Sequence, residues 1–259
     1  MTGLRRAAIA VASTLLALGL TACNRSGPET APPETAAPFT YVAVGASETV
    51  GVGADDPEAE AWTSVLHRRG LTRGATFVNV GVSGSTVQAA LTAQVPGAVA
   101  EEPDLVTVWL NVNDLVRFVP VERYETDLGT LVRNLRRGGE TEVAIANTPP
   151  IEDLPIVRAC LPNPPAGSRC RLPLSLPGPD PVVALVTQYN QAIARVAERE
   201  GAVLVDLHAA GVAARTAGGL DELVSADGFH PSTEGHAAVA EAFRTALQAD
   251  DRTSGFVSP

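Results

Sequence analysis

Four short strings, spread along a chain of 259 residues, carry side chains that together suit acyl transfer. "GAS" ends in Ser47, "SGS" centres on Gly84, "NVND" carries Asn113, and "DGFH" carries Asp227 and His230. A serine hydroxyl is a poor nucleophile until a base takes its proton, and His230 can be that base. Asp227, three positions earlier and one turn away, can hold the other ring nitrogen and balance the imidazolium charge. A tetrahedral intermediate carries an oxyanion, which needs donors aimed at it. The backbone N–H of Ser47, the backbone N–H of Gly84 and the side-chain amide of Asn113 are the candidates. Gly84 suits the role because a missing Cβ leaves its amide open to substrate. Each string also has a plainer reading, since Gly-Ala-Ser, Asn-Asp and Asp-Gly are all ordinary turn chemistry.

The elements between these strings decide whether the side chains can meet. Apolar runs at 39–45 (FTYVAVG), 75–82, 104–112, 141–150 and 202–208 predict five strands. Helix spacing predicts helices over 60–70, 85–95, 121–139, 181–201 and 232–248, with Ser85 as the cap of the second. Apolar strands alternating with helices predict an α/β fold, a three-layer α/β/α sandwich around a five-stranded parallel sheet. In such sheets ligands bind beyond the carboxyl ends of the strands. Ser47 follows the first strand, Gly84 the second and Asn113 the third, so the candidates fall on one expected edge.

The four strings, in this order and at this wide spacing, resemble the motifs of the SGNH hydrolases, also called GDSL-type esterases and lipases. The resemblance runs from about Phe39 to Leu247. It implies an SGNH/flavodoxin-like fold, Ser47, Asp227 and His230 as the catalytic triad, and Ser47, Gly84 and Asn113 as the oxyanion hole. It implies carboxylic ester hydrolysis through an acyl-enzyme, with no cofactor and no metal. Two positions depart from the family pattern. Ala46 stands where an Asp usually precedes the nucleophile, so hydrogen bonding around that loop must differ. Asn111 stands where the third motif usually begins with Gly, and its side chain is expected to narrow the pocket or add a polar contact. An α/β-hydrolase elbow needs Gly two residues after the serine, and Thr49 is there instead.

Composition excludes several other chemistries. All 19 basic residues are Arg, so neither a Walker-A lysine nor a Schiff-base lysine is available. A net charge of −10 argues against nucleic acid as a partner. Hydrophobic residues make up 45% of the chain but aromatics only 4%, so Val, Ala and Leu must build the core.

The N-terminus reads as targeting. Residues 1–22 carry Arg5 and Arg6 ahead of an apolar run and predict a signal peptide. "LTAC" resembles a lipobox, with Cys23 as the lipidated residue of an exported, membrane-anchored lipoprotein on the extracytoplasmic face. Residues 23–38, rich in Pro, Glu, Thr and Ala, read as a disordered tether. The hydrolase domain is expected over 39–249 and a frayed tail over 250–259. A Pro-rich insert at 151–181 is expected to lack its own helix and to be stapled by a Cys160–Cys170 disulfide, which an exported compartment permits. That insert is a candidate lid or pocket wall. His67 reads as solvated on a polar helix face. The expected partner is a small-molecule, lipid or glycan ester met by a monomer that touches the membrane only through its anchor. Acyl transfer to a sugar, carbohydrate deacetylation and non-catalytic binding in the cell envelope stay open as alternatives.

Overall fold

The computed structural model describes residues 39–72, 74–171 and 178–258. The expected signal peptide, Cys23 and the tether lie outside the described residues. The strands are β1 (Thr40–Gly45), β2 (Thr76–Asn79), β3 (Leu105–Trp109), β4 (Glu142–Ala146) and β5 (Val203–Val205). They form one parallel sheet in the order β2-β1-β3-β4-β5. Register is continuous across the centre, with Val42 beside Val78 on one side and Val106 on the other.

Period-two alternation in the strands sends side chains to two separate cores. Val42, Val44, Val106, Val108, Val143 and Ile145 face one side. There they meet α4 (Val87–Ala93), α5 (Val95–Ala100), α7 (Val121–Leu135) and α9 (Asp180–Glu200). The buried stripe of α9, Val182, Val186, Tyr189, Ile193 and Val196, follows the 3.6-residue helical period. On the other face Tyr41, Ala43, Leu105, Trp109, Ala144 and Val205 pack against α3 (Trp62–Val65) and α11 (Thr233–Ala249). Trp62 anchors that layer, stacked on Phe243 at 4.4 Å and edge-on to Trp109 at 6.3 Å.

Several elements differ from the sequence expectation. The helix expected over 60–70 is broken. It comprises α2 (Pro57–Glu60), capped by Asp56, then α3, then a π-turn over Leu66–Gly70. The break at Ala61 coincides with the entry of Trp62 into the core. Thr86, not Ser85, caps α4 by accepting the Ala89 N–H, while Ser85 is buried and accepts from Gln94. A helix absent from the expectation, α10 (Leu207–Thr216), follows β5, with Asp206 as its cap. The insert has a short helix of its own, α8 (Pro155–Arg158), and Cys160 and Cys170 stand at disulfide distance. His67 is not simply solvated: it stacks on Phe77 and its Nε2 hydrogen-bonds Ala75 O.

The C-terminal segment is docked rather than frayed. Val257 is buried and bridges to Leu71, Phe256 stacks on Phe39 at 5.1 Å, and the Ser258 N–H donates to Gly70 O. Two apolar residues late in a polar run suffice because Phe39 and Leu71 leave apolar surface beside β1 and β2. Truncation after Ala249 is expected to cost about 2–4 kcal/mol of stability from lost burial and ring stacking. The thermal midpoint should fall by roughly 5–15 °C. A melt unchanged by truncation would return this segment to the frayed class.

Candidate active site

The site is assembled at the switch point of the sheet, where β1 and β3 lie side by side and their connections leave toward opposite faces. β1 ends at Gly45, where a Cβ would sit 1.9 Å from Thr49 Oγ1, so the chain can turn there only without a side chain. Ser47 then opens the short helix α1 (Ser47–Val50), which leaves its own N–H without an intrahelical partner. Ala46, the departure from the family motif, is buried in the core with Val44. Its carbonyl accepts the N–H groups of Thr49 and Val50.

His230 and Asp227 are carried on a loop closed by an antiparallel bridge between Val224 and Pro231 and by the Ser225 N–H to His230 O bond. Ser232 then caps α11 by accepting the Gly235 N–H. Asp227 Oδ2 lies 2.5 Å from His230 Nδ1, and His230 Nε2 lies 3.0 Å from Ser47 Oγ. Asp227 Oδ1 accepts three more bonds, from Ser225 Oγ and from the N–H groups of Phe229 and His230. Partial burial pushes this carboxyl up, but the donors around it outweigh burial and bring it down to about 2. Asp227 is therefore ionised at neutral pH, Nδ1 carries the ring proton, and Nε2 is free to accept from Ser47. The trio can pass the Ser47 proton to His230 and hold the resulting imidazolium against a carboxylate.

The three candidate oxyanion donors come from three separate segments. Gly84 has φ +76, a left-handed conformation that favours glycine. Its carbonyl accepts from Arg117 Nη2 at 3.1 Å. Asn113 sits on α6 (Val112–Val116), directly after β3. The N–H groups of Ser47 and Gly84 and the side-chain amide of Asn113 have no hydrogen-bond partner among the described residues. Asn111 does not line the nearby cavity; it is buried and its Nδ2 donates to Ala146 O at 3.3 Å. It thus adds the polar contact, without the narrowing.

Three buried polar residues were not anticipated as parts of this site. Gln94 clamps the end of β1 in both directions, accepting from Gly45 N–H at 2.9 Å and donating to Gly45 O at 3.0 Å and Ser85 Oγ at 2.9 Å. Asp114 accepts the Val87 N–H at 3.0 Å and so ties the helix of Asn113 to the segment following Gly84. Glu48 is buried beside Ser47, its Oε2 lying 3.4 Å from Ser47 Oγ, whose proton the shorter contact directs to His230. A Gln or an acid at an otherwise helical, half-apolar position was the only signal available for them.

A cavity of about 200 Å³ opens next to this cluster. Glu48, Val112 and Phe229 line it, and these are the chain neighbours of Ser47, Asn113 and His230. The rest of its wall is apolar and comes from Trp109, Pro149 and Pro150, the first residues of the insert (Ile151 and Leu154), α10, the 220–224 turn, Pro231 and α11.

Residues 43–238 match the GDSL-like lipase/acylhydrolase family. The chain belongs to this family. An acetylxylan esterase of Geobacillus stearothermophilus is 25% identical over 190 residues, 66% of this chain and 71% of the esterase. Among solved structures, TesA superposes with a TM-score of 0.59 at 22% identity, covering 81% of this chain and 98% of TesA. A lipase/acylhydrolase from Enterococcus faecalis gives 0.59 at 20% identity, covering 81% and 95%. These superpositions show that this GDSL-family chain has the SGNH/flavodoxin-like fold.

Asp114 makes the positioning network of this GDSL-family site measurable. Burial pushes its carboxyl up to about 6, against the lowering effect of the Val87 N–H. A folded-state value above the unfolded 3.8 means the native state holds the proton more tightly. The associated stability is fully present below about pH 4 and is lost as pH rises toward about 6. Asp114→Asn should remove this component, flattening the difference in unfolding free energy across that window in urea titrations.

Proposed function

We propose that the chain is a serine esterase that hydrolyses carboxylic esters through a Ser47 acyl-enzyme. The observation that carries this reading is the imidazole of His230, hydrogen-bonded to Asp227 on one nitrogen and to Ser47 on the other. In the first half-reaction Ser47 Oγ attacks the ester carbonyl while His230 Nε2 takes its proton. The tetrahedral oxyanion is received by the N–H groups of Ser47 and Gly84 and by Asn113 Nδ2. Collapse expels the alcohol, protonated by His230. Water, deprotonated by His230, then attacks the acyl-enzyme, and the carboxylic acid leaves with Ser47 restored.

The apolar cavity receives the acyl chain. At roughly 30 Å³ per chain carbon, about the volume share of a liquid water, it holds about six or seven carbons. Membership in a family of lipases and acylhydrolases supports an acyl-chain substrate. A second reading, removal of acetyl groups from a glycan, is supported by the acetylxylan esterase relative. The residues of the insert that line the cavity act as a pocket wall.

A fluorophosphonate probe and p-nitrophenyl esters of increasing chain length test both readings. Wild type should label and turn over, with kcat/KM rising from acetate to about hexanoate. Ser47→Ala should do neither, and Asn113→Ala should lower kcat by about 10²–10³. Labelling that survives Ser47→Ala would place the nucleophile elsewhere, and a strict acetate optimum would favour deacetylation.

The export signal and lipobox read in the sequence support placement on the extracytoplasmic face of a membrane, held by a lipid on Cys23. Cys23→Ser should release the protein from the membrane fraction during cell fractionation. Retention of that variant would remove the anchor from the account.

A further inference from the structure

Glu48 is the only ionisable side chain among the described residues that line the 200 Å³ cavity. It is 8% exposed and forms no ion pair with any described cation. Its carboxyl accepts a hydrogen bond from its own backbone N–H, and the one side-chain atom within reach is Ser47 Oγ, at 3.4 Å. The Ser47 proton is directed to His230 Nε2 at 3.0 Å, and once Ser47 is acylated its ester oxygen has no hydrogen, so this hydroxyl does not serve as a donor to the Glu48 carboxyl. The carboxyl thus faces an apolar chamber with acceptor lone pairs that no side-chain donor among the described residues fills, which costs free energy. A pocket built this way favours a substrate that brings the missing polar group and disfavours the analogue that lacks it.

From this geometry we propose that Glu48 reads a hydroxyl on the acyl group, making short 2- or 3-hydroxyacyl esters the preferred substrates. The inference rests on the esterase reading above. With bonds of about 1.5 Å, the first two carbons beyond the carbonyl lie within about 4 Å of Ser47 Oγ. A hydroxyl there falls within reach of the Glu48 carboxyl, while the remaining carbons occupy the apolar chamber. A hydroxyl both donates and accepts, so it satisfies the carboxylate and the carboxylic acid alike. An ammonium group only donates. Burial pushes the Glu48 carboxyl up from its ordinary value, which favours the neutral acid and a neutral partner.

The test compares p-nitrophenyl hexanoate with its 2-hydroxy and 3-hydroxy derivatives, each enantiomer separately, on wild type, Glu48→Gln and Glu48→Leu. Wild type should favour one hydroxy ester by about tenfold or more in kcat/KM. Glu48→Gln, which keeps the shape and the hydrogen bonding, should retain most of that ratio. Glu48→Leu should abolish or invert it. The readout is a ratio within each protein, so a general loss of activity cancels. The labelling rate with fluorophosphonate reports that Ser47 is competent in each variant. Ser47-dependent turnover with no hydroxy preference in wild type, a preference that survives Glu48→Leu, or a stronger preference for the 2-amino ester overturns the proposal alone. Absence of turnover on every ester, together with absence of labelling, overturns the esterase reading and this proposal with it.

Discussion

A hydrogen bond of 3.0 Å joins His230 to Ser47 across 183 residues of chain. The contact requires β1 to stop at one point on the sheet edge and the loop before α11 to fold back over that point. Neither end can drift by even 1 Å without breaking it, because hydrogen bonds weaken steeply with distance and angle. The stiffness comes from the sheet. β1 sits between β2 and β3, its side chains buried on both faces, so its carboxyl end is among the most constrained points in the fold.

Around that fixed point, buried polar groups act as struts. Gln94 holds Gly45 from both its N–H and its carbonyl, while also reaching Ser85 beside Gly84. Asp114 ties α6 to the first turn of α4, and Arg117 holds the Gly84 carbonyl. The result links the strand that leads to Ser47, the Gly84 loop and the Asn113 helix through side chains outside the Ser47–His230–Asp227 chain of hydrogen bonds. Gln94 and Asp114 are buried, in a low-dielectric setting where a hydrogen bond is stronger and its loss more costly, whereas Arg117 is exposed. The aromatic layer of Trp62, Trp109 and Phe243 supports the opposite face, beneath the helix that follows His230.

The site is electrostatically asymmetric. Asp227 is held ionised by four donors, three of them from its own loop backbone or the adjoining serine. Glu48, the residue after Ser47, has only its own backbone N–H and the Ser47 hydroxyl near its carboxyl and is raised by burial. Two carboxyls near one imidazole thus sit in contrasting environments, which in the proposed mechanism separates a group that balances charge from one that contacts the acyl group.

Much of this was legible in the residues themselves. Five apolar runs, helix spacing between them and four motif strings determined the fold class, which strands Ser47, Gly84 and Asn113 follow, and the identities of Ser47, Asp227, His230, Gly84 and Asn113 as candidates. Those signals are local, because strand and helix periodicity and turn composition act over a few residues. What only the tertiary structure decided was everything requiring two distant segments to be compared at once. Gln94 looked like any polar helix residue, Glu48 like any acid after a turn, and Phe256 and Val257 like the end of a frayed tail. Each acquires its role from a surface contributed by another part of the chain: Gly45, the apolar cavity, and Phe39 with Leu71. Packing and desolvation are properties of neighbours in space, and a linear sequence carries no direct record of which neighbours those will be.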